Sequence, residues 1–408
     1  MRQLLLQRNY FLFWLSGLVS MIGEWALYIA MPFYIYSQTH STLASGYFLI
    51  SQLFPKIAFG WLMGTFIDRL SGKSILLGAT FIQSLIFALF LYVDSFNQFY
   101  ILYLCAMATS ITSQLIQVSR SALLPHLIDQ EDLVTANSLN CLTINFNQIL
   151  ASIIGGFLLS LYNLEAVIGF AITSMVIAVL LASPIKTIQA RVIQREAPSQ
   201  GTYYSMKTFW QSWSEGKSLL INDPLLRRLF IAGGMNQISS AVVQALLAAY
   251  VESSLRAPSH VYGWLMAFQG LGGVIGSIGT SKWAFKHPQE SLQILFARTT
   301  SLSGLFLLCL ILSQNYYLNF LFMGLFGISI VVFVISGSTL IQTRIEKKFL
   351  GRLLGLYSTS QSLFFLIGLS LASIGGEKIG ILPMISLGAM LAIATGMVFQ
   401  YSSKALKN

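Results

Sequence analysis

Apolar stretches of membrane-spanning length recur along almost the whole of this 408-residue chain. A helix rises about 1.5 Å per residue, so crossing a hydrocarbon layer of about 30 Å takes roughly 20 predominantly apolar residues. Apolar runs read against turn and charge punctuation give twelve such spans: 10–37, 43–67, 74–93, 98–121, 136–161, 165–184, 227–252, 259–282, 291–313, 317–342, 353–374 and 380–401. Charged residues make up only 9% of the chain and mean hydropathy is +0.71, whereas an ordinary soluble domain carries about 25% charged residues. Too few charges remain to cover a water-facing surface, so most of the exterior must face lipid. The sequence predicts an all-α membrane protein of twelve transmembrane helices.

The net charge of +10 does not point to nucleic acid, because the positive residues sit almost entirely in alternate loops. One set of loops holds Arg69, Lys73, Lys186, Arg191, Arg227, Arg228, Lys282, Lys286, Arg344, Lys347 and Arg352, while the other holds only Arg256 and Lys378. That asymmetry is the positive-inside signature, which places both termini in the cytoplasm of a multi-pass cell-membrane protein. Arg2 and Arg8 lead into a segment unbroken from Tyr10 to Tyr36, so no cleavable leader is expected. Cys105, Cys141 and Cys309 all fall inside apolar spans, and His40, His126, His260 and His287 all lie outside the span cores. Neither a disulfide frame nor a metal site follows from such a distribution, and no nucleophile–base set is visible. An enzyme is not expected.

Residues 185–226 form the one long polar stretch and read as a cytoplasmic linker between six-span units at 1–184 and 227–408. The two units echo one another. A shift of 217 superposes Phe13 on Phe230, Gly17 on Gly234, Gly46 on Gly263 and Gln52 on Gln269, and a shift of 220 places Gly155-Gly156 on Gly375-Gly376. Two parallel repeats of six helices form a transporter architecture in which the binding site lies near mid-membrane at the repeat interface. The glycines of span eight (Gly263, Gly270, Gly272, Gly273, Gly276, Gly279) lack the strand-to-helix setting of a nucleotide loop and imply close helix packing instead.

Ionisable residues deep in a span mark candidate function, since each costs at least about 2.5–3.5 kcal/mol there. Glu24 lies near the middle of span one and Lys56 near the middle of antiparallel span two, a placement that allows pairing at similar depth. Glu24 is the candidate proton or cation site with Lys56 tuning it; a structural ion pair between the two helices is the alternative. Polar residues at helical spacing extend the candidate surface. Trp25 and Tyr28 flank Glu24; span four adds Gln114 and Gln117, span five Asn140 and Gln148, and span seven Asn236, Gln237 and Gln244. Each stripe shares one helix face, so it must meet a cavity or a neighbouring helix.

The segment Gly64-Thr-Phe-Ile-Asp68-Arg69-Leu-Ser-Gly72-Lys73 resembles the G-x-x-x-D-R-x-x-G-R/K loop of the major facilitator superfamily. Arg120-Ser-Ala-Leu-Leu-Pro125 with Asn137-Ser138-Leu139, Gln342-Thr-Arg344 with Gly351-Arg352, and Arg8-Asn9 with Gly23-Glu24 are similar to its macrolide-efflux and enterobactin-exporter branch. The resemblance implies the two-bundle major facilitator fold. It also implies a conformational latch of Gly64, Asp68, Arg69, Gly72, Lys73, Arg120, Arg344, Gly351 and Arg352. The span-five antiporter pattern departs from the family: Ala151-Ser152 stands where Gly-Pro is usual.

Together these features predict a monomeric secondary transporter in the lipid bilayer with no cofactor. It would be a proton-coupled exporter of a small amphipathic compound, working by alternating access. Export of a specific anionic metabolite such as a siderophore, with Lys56 as counter-charge, is the alternative, followed by lysophospholipid transport and, remotely, a non-transporting receptor.

Overall fold

The computed structural model describes residues 2–67, 72–92, 99–129, 132–185, 223–284, 289–313, 315–344 and 347–404, so the linker segment 186–222 lies outside the described residues. After a short helix at Arg2–Leu6 come twelve long helices: α1 (Arg8–Thr39), α2 (Thr42–Ile67), α3 (Gly72–Leu89), α4 (Phe99–Leu123), α5 (Leu133–Leu161), α6 (Leu164–Ala182), α7 (Pro224–Ala249), α8 (Ser259–Ala284), α9 (Gln289–Leu312), α10 (Tyr316–Arg344), α11 (Lys347–Lys378) and α12 (Ile381–Lys404). Eleven are long and apolar enough to cross a membrane within the described residues. The remaining one, α2, has 26 residues, more than the roughly 20 a span needs. Only helices close every backbone hydrogen bond within their own segment, which suits them to hydrocarbon.

Side chains such as Phe81, Leu85, Ile275, Leu321 and Val398 lie on the outside of the bundle, more than half exposed. In water such a surface would aggregate; against lipid tails it is the ordinary exterior. Two of the shortest joints are built by local capping. Asn163 Oδ1 accepts the Ala166 N–H at 3.0 Å and starts α6. Gly380, with φ of 103°, ends α11 in the left-handed region before α12 begins.

The first six helices pack chiefly among themselves (α1 with α5 and α6, α4 with α2 and α3, α3 with α6), and the last six do likewise (α8 with α10, α9 with α10 and α12, α7 with α11 and α12). Two seams join the sets, α5 against α8 and α2 against α11. They are counterparts under the repeat seen in the sequence, since α5 matches α11 and α2 matches α8.

Along the seams the two ends of the bundle differ. At the end away from the chain termini one continuous apolar core runs through both sets, from Leu27, Met31, Phe48 and Phe87 to Leu246, Tyr262, Phe326 and Leu369. At the end that carries the termini the core splits. Phe13, Leu76, Leu123 and Ala182 form a cluster in the first set, and Leu226, Phe296, Phe333 and Phe399 form another in the second. Among the described residues the bundle is sealed at the far end and divided at the terminal end.

Three contacts make the seal close. At the α5–α8 crossing, Gly156 and Gly263 let backbones touch, and a Cβ on Gly263 would stand 2.4 Å from the Ser152 carbonyl oxygen. Beside it His260 stacks on Phe157 with ring centroids 5.6 Å apart, and its Nδ1 lies 3.0 Å from Ser160 Oγ. At the α2–α11 seam, Glu377 Oε2 accepts from Thr42 N at 3.0 Å, Ser41 Oγ at 3.1 Å and Thr42 Oγ1 at 3.2 Å. A carboxylate from the second set thereby serves the open N–H groups and positive dipole end of α2 in the first. Gly263→Val is expected to force α5 and α8 apart at a cost of about 1–3 kcal/mol, as overpacking does elsewhere; thermal unfolding of the purified protein in detergent should show a lower Tm.

Candidate functional site

Gly23 packs so tightly on α6 that a Cβ there would lie 2.6 Å from Ser174 Cβ. With that face of α1 closed, the next residue, Glu24, is turned toward the interior of the first set. Its Oε1 accepts from Ser113 Oγ on α4, and Ser113 Oγ in turn accepts from Gln83 Nε2 on α3 at 3.1 Å. The carboxylate expected to pair with Lys56 is therefore hydrogen-bonded to a hydroxyl instead. Lys56 reaches the same space from α2, immediately after Pro55, which lies inside the helix. Nearby the Gln52 carbonyl accepts from Ser110 Oγ at 2.6 Å, a bond that ties α4 to α2. Among the described residues Lys56 makes no hydrogen bond or ion pair, although its charge acts on Glu24 through space.

Glu24, Trp25 and Lys56 stand where two cavities adjoin. The smaller, about 170 Å³, lies toward the sealed end and is lined by Tyr28, Phe48, Gln52, Phe87, Phe90 and, from α11, Phe365 and Leu369. The larger, about 520 Å³, runs from Glu24 to Tyr10, Trp14, Leu124 and Pro125 at the terminal end. Its volume falls within the roughly 300–1,000 Å³ of small-molecule sites, and its wall alternates aromatic rings with Gln114, Gln117, Asn140 and Arg120. Both cavities together form one path from mid-bundle to the divided end.

Of the residues singled out from the sequence, Glu24, Lys56, Trp25, Tyr28, Gln114, Gln117 and Asn140 line these cavities. Trp25 meets Tyr28 edge-on at 5.7 Å, and Tyr28 Oη accepts from Gln244 Nε2 at 3.4 Å, a bond that crosses from α1 to α7. Gln148 packs instead against α8, its Cδ 3.7 Å from where a Cβ of Gly270 would stand. Asn236 is fully enclosed between α7 and α9, 3.5 Å from Ser303 Oγ. Gln237 lines neither cavity. Gln83 was not singled out from the sequence: a single amide on an otherwise apolar helix carries no periodic signal.

The latch residues divide. Asp68 and Arg69 lie outside the described residues, as do the side chains around Gly64, Gly351 and Arg352. Gly72 opens α3 against Leu123, and Lys73 Nζ donates to the carbonyls of Ser183 and Ile185 at 2.7 and 2.8 Å, tying α3 to the end of α6. Arg120 belongs to the cavity wall: its guanidinium lies 4.2 Å above the Phe13 ring and donates to the Phe13 carbonyl at 2.6 Å and Ser16 Oγ at 3.2 Å. Arg344 pairs with Asp223 at 2.9 Å, joining the end of α10 to the start of α7 within one set.

Asp223 also caps α7 through the Leu225 and Leu226 N–H groups. Partial burial pushes its carboxyl upward, but the Arg344 bond and the two backbone N–H bonds together outweigh burial and hold it below its ordinary value. A depressed carboxyl stabilises the fold above its unfolded value of about 3.9 and loses that contribution as pH falls through the lower folded value. Thermal melts taken downward from about pH 7 should therefore show a drop in Tm below about pH 4 that Asp223→Asn reduces.

Comparison with known proteins agrees with this architecture. The model of the Major Facilitator Superfamily matches residues 13–368. The enterobactin exporter EntS of Shigella boydii serotype 18 is 26% identical over 386 residues, covering 92% of this chain and 84% of that protein. The fold is shared with a bacterial homologue of the iron transporter ferroportin crystallised in an inward-facing state, at TM-score 0.77 and 16% identity, covering 97% of this chain and 98% of that one. It is shared also with the nucleoside transporter NupG, at TM-score 0.72 and 12% identity over 97% and 99% of the chains. The chain is a multi-pass membrane transporter, not an enzyme, and it belongs to the Major Facilitator Superfamily.

Proposed function

We propose that the protein is a proton-coupled exporter of a small amphipathic compound, working as a monomer by alternating access in the cell membrane with both termini in the cytoplasm. The observation that carries this reading is the path itself: a cavity of about 520 Å³ lined by rings and amides, ending at a half-buried carboxyl and an ammonium that has no hydrogen-bonded partner among the described residues. With the termini inside, as the loop charges indicate, the divided end faces the cytoplasm, so substrate would enter there and proceed to Glu24 and Lys56. Relatives named as enterobactin exporters support export as the direction. Moving one proton charge through 100 mV supplies about 2.3 kcal/mol, and Glu24 is the group placed to carry it.

Lys56 favours a second reading, export of an anionic metabolite. An exposed ammonium on a cavity wall at membrane depth attracts an anion, and Arg120 adds positive charge to the same wall. The two readings separate on energetics. An anion leaving a cell with a negative interior is driven by the membrane potential alone, whereas a neutral or cationic compound needs the pH gradient.

Enterobactin and a cationic amphipathic dye, each loaded into proteoliposomes under an imposed pH gradient or an imposed potential, make the test. Under the leading reading the pH gradient drives dye transport and Glu24→Gln removes that component. Under the second, the potential drives enterobactin and Lys56→Ala weakens it about tenfold, which corresponds to about 1.4 kcal/mol. Transport of neither probe under either gradient would contradict both.

A further inference from the structure

Around Glu24 the hydrogens do not match the hydrogen bonds available. Ser113 Oγ is within reach of three groups: Gln83 Nε2 at 3.1 Å, Glu24 Oε1, and the Thr109 carbonyl one turn back on α4 at 2.8 Å. An amide nitrogen only donates, so Gln83 occupies one lone pair of the hydroxyl. The single hydroxyl hydrogen is left with two oxygens to serve. When Glu24 is ionised, the hydrogen belongs on the carboxylate, because a charge-assisted bond is about twice as strong as a neutral one. When Glu24 carries a proton, its own O–H can point into the remaining lone pair of Ser113, and the Ser113 hydrogen can turn to Thr109. Thr112 Oγ1 also reaches the Thr109 carbonyl at 2.9 Å, but it has the Ala108 carbonyl as an alternative at 3.2 Å. A place for the Ser113 hydrogen is therefore available in either case.

We propose that Ser113 is a positioning residue that keeps Glu24 hydrogen-bonded in both protonation states by swinging its one hydrogen between Glu24 and the Thr109 carbonyl. This rests on the reading above that Glu24 takes up a proton. In the step, a hydronium in the cavity gives its proton to the Glu24 carboxylate and becomes water; the Ser113 O–H bond rotates and does not break. No heavy atom has to move. Leaving a buried donor or acceptor unpaired costs about 1–3 kcal/mol, and this arrangement avoids that cost on both sides of the reaction. Gln83 fixes the hydroxyl from behind.

The other groups facing the site are Lys56 from α2, Arg120 from α4 and Tyr28 one turn along α1, with Asn140 from α5 and Ser174 from α6 carrying no charge. Since the α1–α4 contact is satisfied in both states, it is not the joint that opens when the proton binds. The change in charge is felt instead by Lys56, which among the described residues has no hydrogen bond of its own to lose.

The test is infrared difference spectroscopy of the purified protein across a pH titration, following the carbonyl stretch of the protonated carboxyl that disappears in Glu24→Gln. Ser113→Ala should move that band to higher frequency, because the acid loses the oxygen it donates to, and Ser113→Thr should restore the wild-type position. Unfolding curves confirm that each variant is folded; if Ser113→Ala does not fold, Ser113→Cys, a weaker hydrogen-bonding side chain, should move the band part of the way. A Glu24 band at the same frequency in wild type and the alanine variant (the cysteine variant if alanine does not fold) overturns the inference alone. The absence of any Glu24-dependent band overturns the proton reading and the inference with it.

Discussion

The apolar core at the far end of the bundle is the constraint on which the rest depends. There, residues of both six-helix sets share one continuous packing unit, and two helix crossings hold them: backbone on backbone at Gly156 and Gly263, and Glu377 against the start of α2. Among the described residues nothing comparable joins the clusters at the terminal end. The cavities lie mainly among helices of the first set, with Phe365 and Leu369 of α11 closing them toward the sealed end and Glu24 and Lys56 where the two adjoin. The crossings themselves are made by glycine contacts and one carboxylate cap.

The polar groups at the floor of the cavity show how a membrane protein keeps charge at depth. Glu24 is held by a hydroxyl that is itself held by an amide, and Arg120 is spread over a ring, a carbonyl and a hydroxyl. Both are compensated within the first set. Among the described residues Lys56 has no such partner, and it lines both cavities. The second set places uncharged residues in comparable positions, with Asn236 beside Ser303. The repeat is therefore symmetric in backbone and asymmetric in chemistry: the charged residues of the cavities come from the first set, and the second adds Phe365 and Leu369 to the wall.

Much of this could be read from the chain before the fold was known, because hydrocarbon imposes its rules locally. Span length, helix count and the glycines of α8 follow from segment-level physics, and so does the prominence of Glu24 and Lys56. What could not be read was pairing. Glu24 and Lys56 looked like natural partners because depth along a helix is visible in sequence, whereas rotation about its axis relative to a third helix is not. That rotation brings Ser113 to Glu24 instead. Arg120 resembled a loop-end residue by motif and proved part of the cavity wall, and Gln148 and Asn236 share stripes with cavity residues yet face neighbouring helices. Glu377 and Asp223, each holding two helices together, carry no motif at all; their roles come from helix termini that meet only in three dimensions.

The central claim is that the sealed end and the divided end exchange roles. Spin labels placed by cysteine substitution at Tyr162 and Ile379, on the two sets at the far end, and at Ser121 and Gln342, on the two sets at the terminal end, would report it by pulsed electron–electron distance measurement with Cys105, Cys141 and Cys309 replaced. All four positions are exposed. The account predicts two populations whose weights shift with pH, the far-end distance lengthening as the terminal-end distance shortens. Two distances that stay fixed, or that lengthen together, would contradict it.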